Sequence, residues 1–150
     1  HVGKPRRVSL VELAEVSNSH VLPALIRNAH KGKQKGDSEY AVWGTGNPMR
    51  EFLYVDDMAD ACVFLMENNI NEGVFNIGAG QDVTIRELAE TVMEVVSFKG
   101  KIIFDSSKPD STPRKLLDVS RMVGLGWKAK TSLREGIDLT YQDFLKQSIY

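Results

Sequence analysis

The sequence predicts an α/β domain. Two capping-box signatures, Thr84 with Glu87 and Ser132 with Glu135, each open a run of apolar residues at helical spacing. Short β-rich runs at 40–43, 51–55, 74–77 and 101–104 are separated by helical patterns or polar turns. That alternation is the pattern of strands joined by helical crossovers.

The elements follow in order. Residues 1–16 resist assignment: Lys4, Arg6 and Arg7 make a short basic run, and 8–16 fits either a helical turn or a strand. Ser19 is placed to cap a helix starting at His20, with Pro23 in the first turn, where its missing N–H costs little. Leu22, Leu25, Ile26 and Ala29 form that helix's apolar face, and 31–36 is a polar exit loop. A strand over 40–43 runs into the turn Gly44-Thr45-Gly46-Asn47-Pro48. A strand over 51–55 leads to a helix capped by Asp56 or Asp57, with Met58, Ala61, Cys62, Leu65 and Met66 inward. Residues 74–80 read as a strand ending in a glycine turn. The helix after Thr84 carries Leu88, Ala89, Val92, Val95 and Val96. A strand over 101–104 precedes a polar loop over 105–115. Ile137, Tyr141, Phe144 and Leu145 line the last helix.

The bulk numbers exclude several functions. At 150 residues the chain is one domain with one core. The net charge of −1 gives no field to hold nucleic acid or an anionic membrane, so an anionic ligand needs a local basic cluster. The single cysteine, Cys62, permits no internal disulfide and fits a reducing, cytoplasmic setting. No apolar run approaches the ~18 residues of a membrane span. No metal-ligand spacing appears. The absence of an initial methionine leads us to expect a fragment.

Four segments carry a resemblance. They are Ser17-Asn18-Ser19-His20 with Val21-Leu22-Pro23, the run from Trp43 through Arg50-Glu51-Phe52 to Asp57, Asn76-Ile77-Gly78, and Lys108-Pro109-Asp110-Ser111-Thr112-Pro113-Arg114-Lys115. Together they resemble the C-terminal portion of extended short-chain dehydrogenase/reductases that act on nucleotide sugars. The first and last segments point to the GDP-L-fucose synthase family within them. The resemblance divides the chain into a leader, 1–16, and a sugar-nucleotide-binding domain, 17–150. It implies the substrate-binding part of an extended Rossmann-type reductase, with the glycine-rich cofactor half absent. It further implies 3,5-epimerisation and NADPH-dependent 4-reduction of a GDP-4-keto-6-deoxy sugar, in a homodimer when full length. NADP(H) is then bound mostly by the N-terminal half.

The family's Tyr-x-x-x-Lys pair is not present: no tyrosine here has a lysine four residues on. The isolated chain is therefore expected to be inactive. Residues 74–77, which pair with the cofactor domain's sheet in this family, are expected to be left unpaired and prone to association.

The resemblance assigns roles residue by residue. His20 becomes the acid of epimerisation, close to the cofactor; its imidazole titrates near neutral pH, as that chemistry needs. Against this stands a plain polar residue in a first turn. Arg50, Trp43, Asp110 and Lys115 become contacts to the GDP moiety, with Asn28 standing where a basic residue is common. Their ordinary alternatives are an Arg50 pair with Asp56 or Asp57, a core Trp43, an Asp110 that caps a turn, and Arg114 in place of Lys115. His1 and His30 read as solvated, and Cys62 as a small structural hydrophobe. Gly78 and Gly80 lack the third glycine and downstream acid of a dinucleotide fingerprint and read as a tight turn. The alternatives to this assignment are another nucleotide-sugar epimerase or dehydratase, and a non-catalytic nucleotide-sugar-binding or interaction module.

Overall fold

The computed structural model describes residues 20–147. The Ser19 cap, the basic run and the unassigned segment lie outside the described residues. The elements are α1 (Val21–Lys35), β1 (Glu39–Trp43), β2 (Met49–Glu51), α2 (Val55–Glu67), β3 (Asp82–Thr84), α3 (Ile85–Val96), β4 (Lys101–Asp105), β5 (Arg114–Lys115), α4 (Ser120–Gly124) and α5 (Leu133–Gln147). The α/β class is as predicted.

Two small sheets organise the chain. β1 and β4 form a parallel pair, with Tyr40 opposite Ile102 and Val42 opposite Phe104. The other sheet has the order β3-β2-β5, antiparallel on one side of β2 and parallel on the other. The main core lies between β1 and helices α1, α3 and α5. It is built from Leu25, Ile26, Ala29, Tyr40, Val42, Leu88, Val92, Val96, Ile137, Tyr141 and Phe144.

Local chemistry sets the helix ends. The Thr84–Glu87 capping box is present, with the Thr84 hydroxyl accepting from the Glu87 amide and the Glu87 carboxylate accepting from the Thr84 amide. The Ser132 hydroxyl accepts from the Glu135 amide at 3.2 Å. α1 stops at Gly36, whose φ of 70° lets its amide and the next turn back onto the last carbonyls. α1 begins one residue later than predicted, and it takes in residues 31–35, which were expected to form a polar exit loop. His20 occupies the N-cap position and makes no side-chain cap bond. No helix among the described residues is long and apolar enough to cross a membrane.

Further expectations are corrected. The 51–55 strand is instead β2, ending at Glu51, and α2 opens at Val55 without a side-chain cap. Of the five residues placed on the inner face of α2, only Ala61 is buried and Leu65 half-buried. Met58, Cys62 and Met66 are exposed, so Cys62 is not a packed hydrophobe. Residues 74–77 form no strand, and Val74 is 79% exposed. His30 is not solvated. It packs edge-on to Tyr141 and Phe144, and its Nδ1 lies 2.9 Å from the Tyr141 hydroxyl. Burial, helped by the Lys33 charge, lowers its pKa.

A smaller core, missed in the sequence, joins Ala61, Met122 and Trp127, with Leu53, Phe64, Phe75 and Ile77 partly buried against it. The Trp127 indole donates to Asp60 at 2.9 Å. Phe75 and Ile77 thus anchor the 74–77 segment through side chains, while no strand pairs with its backbone among the described residues. In hydrogen exchange on this polypeptide, amides 74–77 should exchange rapidly while those of Tyr40 and Val42 stay protected. Full protection of 74–77 in a monomer contradicts this.

Candidate functional site

β2 is short: its three residues pair with β3, and only Met49 and Arg50 also pair with β5. Arg50 is its centre, opposite Val83 of β3 and Lys115 of β5. The Arg50 guanidinium donates through Nη1 to the Met49 carbonyl at 2.6 Å and through Nη2 to the Ser111 hydroxyl at 2.5 Å. These contacts replace the expected pair with Asp56 or Asp57. Arg50 lines an open cleft of about 290 Å³ whose other walls include Phe52, Gln81, Val83, Lys130 and Leu133.

The loop between β4 and β5 folds over the turn after β1. Asp110 accepts from the Thr45 amide at 2.9 Å and from the Thr45 hydroxyl at 2.6 Å. Gly44, at φ 89°, makes this approach possible: a Cβ there would lie 2.4 Å from the Asp110 Oδ1. Lys108 sits with its ammonium 5.3 Å from the centre of the Trp43 ring. Trp43 is 74% exposed and is not a core residue. Three of the sequence-nominated residues, Trp43, Arg50 and Asp110, are thereby gathered by one loop-on-turn contact. Asp110 also caps a turn, as the plainer reading held.

Lys115 is exposed and in register with Arg50 on the neighbouring strand. Arg114, next to it, points the other way along the pleat. It is committed to Asp82, with Nε 2.6 Å and Nη2 3.2 Å from its two carboxylate oxygens. That bond holds the Asp82 carboxyl below its ordinary range.

Neither His20 nor Asn28 lines the cavity beside Arg50. His20 is exposed at the start of α1, and Asn28 is exposed about 12 Å further along the helix axis. Leu22, two residues after His20, lines a narrow pocket together with Phe52, Thr131 and Leu133. Those last three residues also wall the Arg50 cleft, so the two cavities share a partition.

Two carboxylates missed in the sequence build the walls. Asp57, only 5% exposed, accepts from the Lys130 and Thr131 amides at 3.2 and 2.9 Å and so pins the 129–133 wall to α2. Its place in the first turn of α2 gave it a helix-cap reading, which hid this longer-range role. Glu51 accepts from the Gly80 amide at 2.7 Å and from the Leu117 amide at 3.2 Å.

Residues 8–78 match the family model described as "NAD dependent epimerase/dehydratase family". The GDP-L-fucose synthase 1 of Arabidopsis thaliana is 59% identical over 129 residues, which is 86% of this chain and 40% of that protein. The GDP-L-fucose synthase of Escherichia coli (strain K12) is 50% identical over 139 residues, 87% of this chain and 43% of that protein. A GDP-L-fucose synthetase structure from Naegleria fowleri with NADP bound superposes with a TM-score of 0.81 at 28% identity, covering 91% of this chain and 43% of that one.

Over residues 8–78 this chain is similar to the NAD dependent epimerase/dehydratase family. It spans about 40% of the length of the curated relatives it matches. The family's nicotinamide dinucleotide would need a glycine turn with donors free for its pyrophosphate. The turn at Gly78 to Gly80 does not fit: the Gly80 amide is given to Glu51, and the Glu51 carboxylate fills the space beside Gly78.

The Asp110 clamp carries a pH signature. The Thr45 hydroxyl, then the Thr45 amide, hold the Asp110 carboxyl below its ordinary value of 3.8. A depressed acid stabilises the fold above its unfolded pKa and loses that contribution as pH falls through the folded one. NMR titration of the Asp110 carboxyl carbon should give a midpoint below 3.8, and Thr45→Val should raise it. A midpoint at or above that value in the wild type removes the clamp.

Proposed function

We propose that this chain is the C-terminal, nucleotide-sugar-binding portion of a GDP-L-fucose synthase. In this reading the whole enzyme epimerises GDP-4-keto-6-deoxy-D-mannose at C3 and C5 and then reduces the 4-ketone to give GDP-L-fucose. Curated relatives of that name at 50–59% identity support it. The observation that carries it here is Arg50, an arginine that among the described residues is held by two of its donors and lines an open cleft, with Lys115 alongside.

The roles follow from chemistry. Arg50 meets the diphosphate with a planar fork of donors, and Lys115 adds a mobile point charge. Trp43, largely exposed, offers its face to the guanine. Asp110 keeps lone pairs beyond those given to Thr45 for ribose or base donors. Asn28 donates a neutral hydrogen bond. His20, exposed where α1 begins, delivers the proton that completes inversion of the carbon next to the ketone, and lies against the cofactor. The 4-reduction takes its hydride from NADPH and belongs to residues outside these 150, as does most of the cofactor's binding. The full-length enzyme is proposed to be a cytoplasmic homodimer.

Calorimetry on the complete natural polypeptide carrying this sequence tests the reading. GDP-sugars should bind more tightly than UDP-sugars, and Arg50→Ala should weaken GDP binding about tenfold or more, the usual cost of a lost charge-assisted contact. Equal affinity for UDP-sugars, or unchanged binding in Arg50→Ala, contradicts it. The 150-residue polypeptide alone should oxidise no NADPH in the presence of the keto sugar; steady oxidation refutes the division of labour.

A further inference from the structure

We infer that Glu51 is a positioning residue for the Arg50 cleft, acting through the backbone amides of Gly80 and Leu117. The inference rests on the nucleotide-sugar reading above. β2 makes its last ladder contacts at Glu51 with Asp82 and at Arg50 with Lys115. Beyond that point the backbone no longer pairs, and the Glu51 side chain takes over. Its Oε2 accepts from Gly80, two residues before Asp82, and its Oε1 from Leu117, two residues after Lys115. One carboxylate therefore clamps both neighbours of β2.

The segments it clamps belong to the cleft. Ala79 and Gln81, on either side of Gly80, line the cavity beside Arg50. Lys115 lies on the strand that runs into Leu117. Room for the carboxylate is made by Gly78: a Cβ there would lie 2.7 Å from Glu51 Oε2 and 2.9 Å from Oε1. The residue type is also specific. Both partners are N–H donors, and only a carboxylate presents two acceptors; glutamine would turn an NH2 against one of them. Consecutive strand residues point to opposite faces, so Glu51 anchors the sheet from one side while Arg50 faces the ligand on the other.

The test is steady-state kinetics on the complete natural polypeptide. Glu51→Gln should raise the KM for the GDP-sugar about fivefold, the cost of one hydrogen bond, with kcat within about twofold. Gly78→Ala, which displaces the carboxylate, should do the same and serves if Glu51→Gln does not fold. In an Arg50→Lys background Glu51→Gln should add little, because its effect passes through Arg50. A full additive effect in that background, an unchanged KM, or a fall in kcat alone overturns the positioning role while leaving the nucleotide-sugar reading intact. If Arg50→Lys and Arg50→Ala both leave GDP binding unchanged, that reading falls and this inference with it.

Discussion

The candidate site depends on three residues of backbone. Among the described residues β2 is the only strand of its sheet with partners on both sides, and it sets Arg50 between β3 and β5. A strand this short has little ladder of its own, so side chains must finish the work. Glu51 extends the pairing on both flanks, and the Met49 carbonyl holds the guanidinium back against its own strand. The alternation of the pleat separates the tasks, with the anchoring carboxylate on one face and the cation on the other.

Around that strand Phe52, Val83 and Leu133 pack the walls onto the main core, and long-range polar contacts hold the loops in place. Asp57 fixes the 129–133 segment from a helix first turn. Asp110 and Ser111 bring the 105–115 loop onto the Thr45 turn and onto Arg50. Each is an oxygen meeting backbone amides or a charged donor, so each is directional and costly to misplace. This is why a cleft assembled from loops can keep one geometry while lying open to water.

Much of the fold was legible because its signals are local. Capping boxes and helix-spaced apolar residues name α1, α3 and α5 without reference to the rest of the chain, although the polar end of α1, residues 31–35, reads as a loop. The sequence misled wherever a partner decides the outcome. Residues 52–55 have strand-like side chains, but the sheet ends at Glu51 because its neighbours diverge there. The apolar residues of α2 follow helical spacing, yet Met58 and Met66 stay exposed, because only the Ala61 side meets Met122 and Trp127. His30 looked like a surface residue until α5 supplied Tyr141 and Phe144. Among the site residues, Trp43, Arg50, Asp110 and Lys115 were named from motif resemblance. Glu51 and Asp57 sat inside the same motif, but their work is done by contacts 29 or more residues away, which no local pattern encodes.

In the function proposed above, the cleft beside β2, and not another basic surface, receives the diphosphate. Lys33, Lys99 and Lys101 line a different open cavity near the start of β4 and make the natural comparison. The direct measurement is NMR of arginine and lysine side chains in the complete natural polypeptide as GDP is added. The Arg50 Nε–H and Lys115 ammonium signals should move together and saturate while those three lysines stay still. Movement of Lys33, Lys99 and Lys101 with Arg50 unmoved would contradict it.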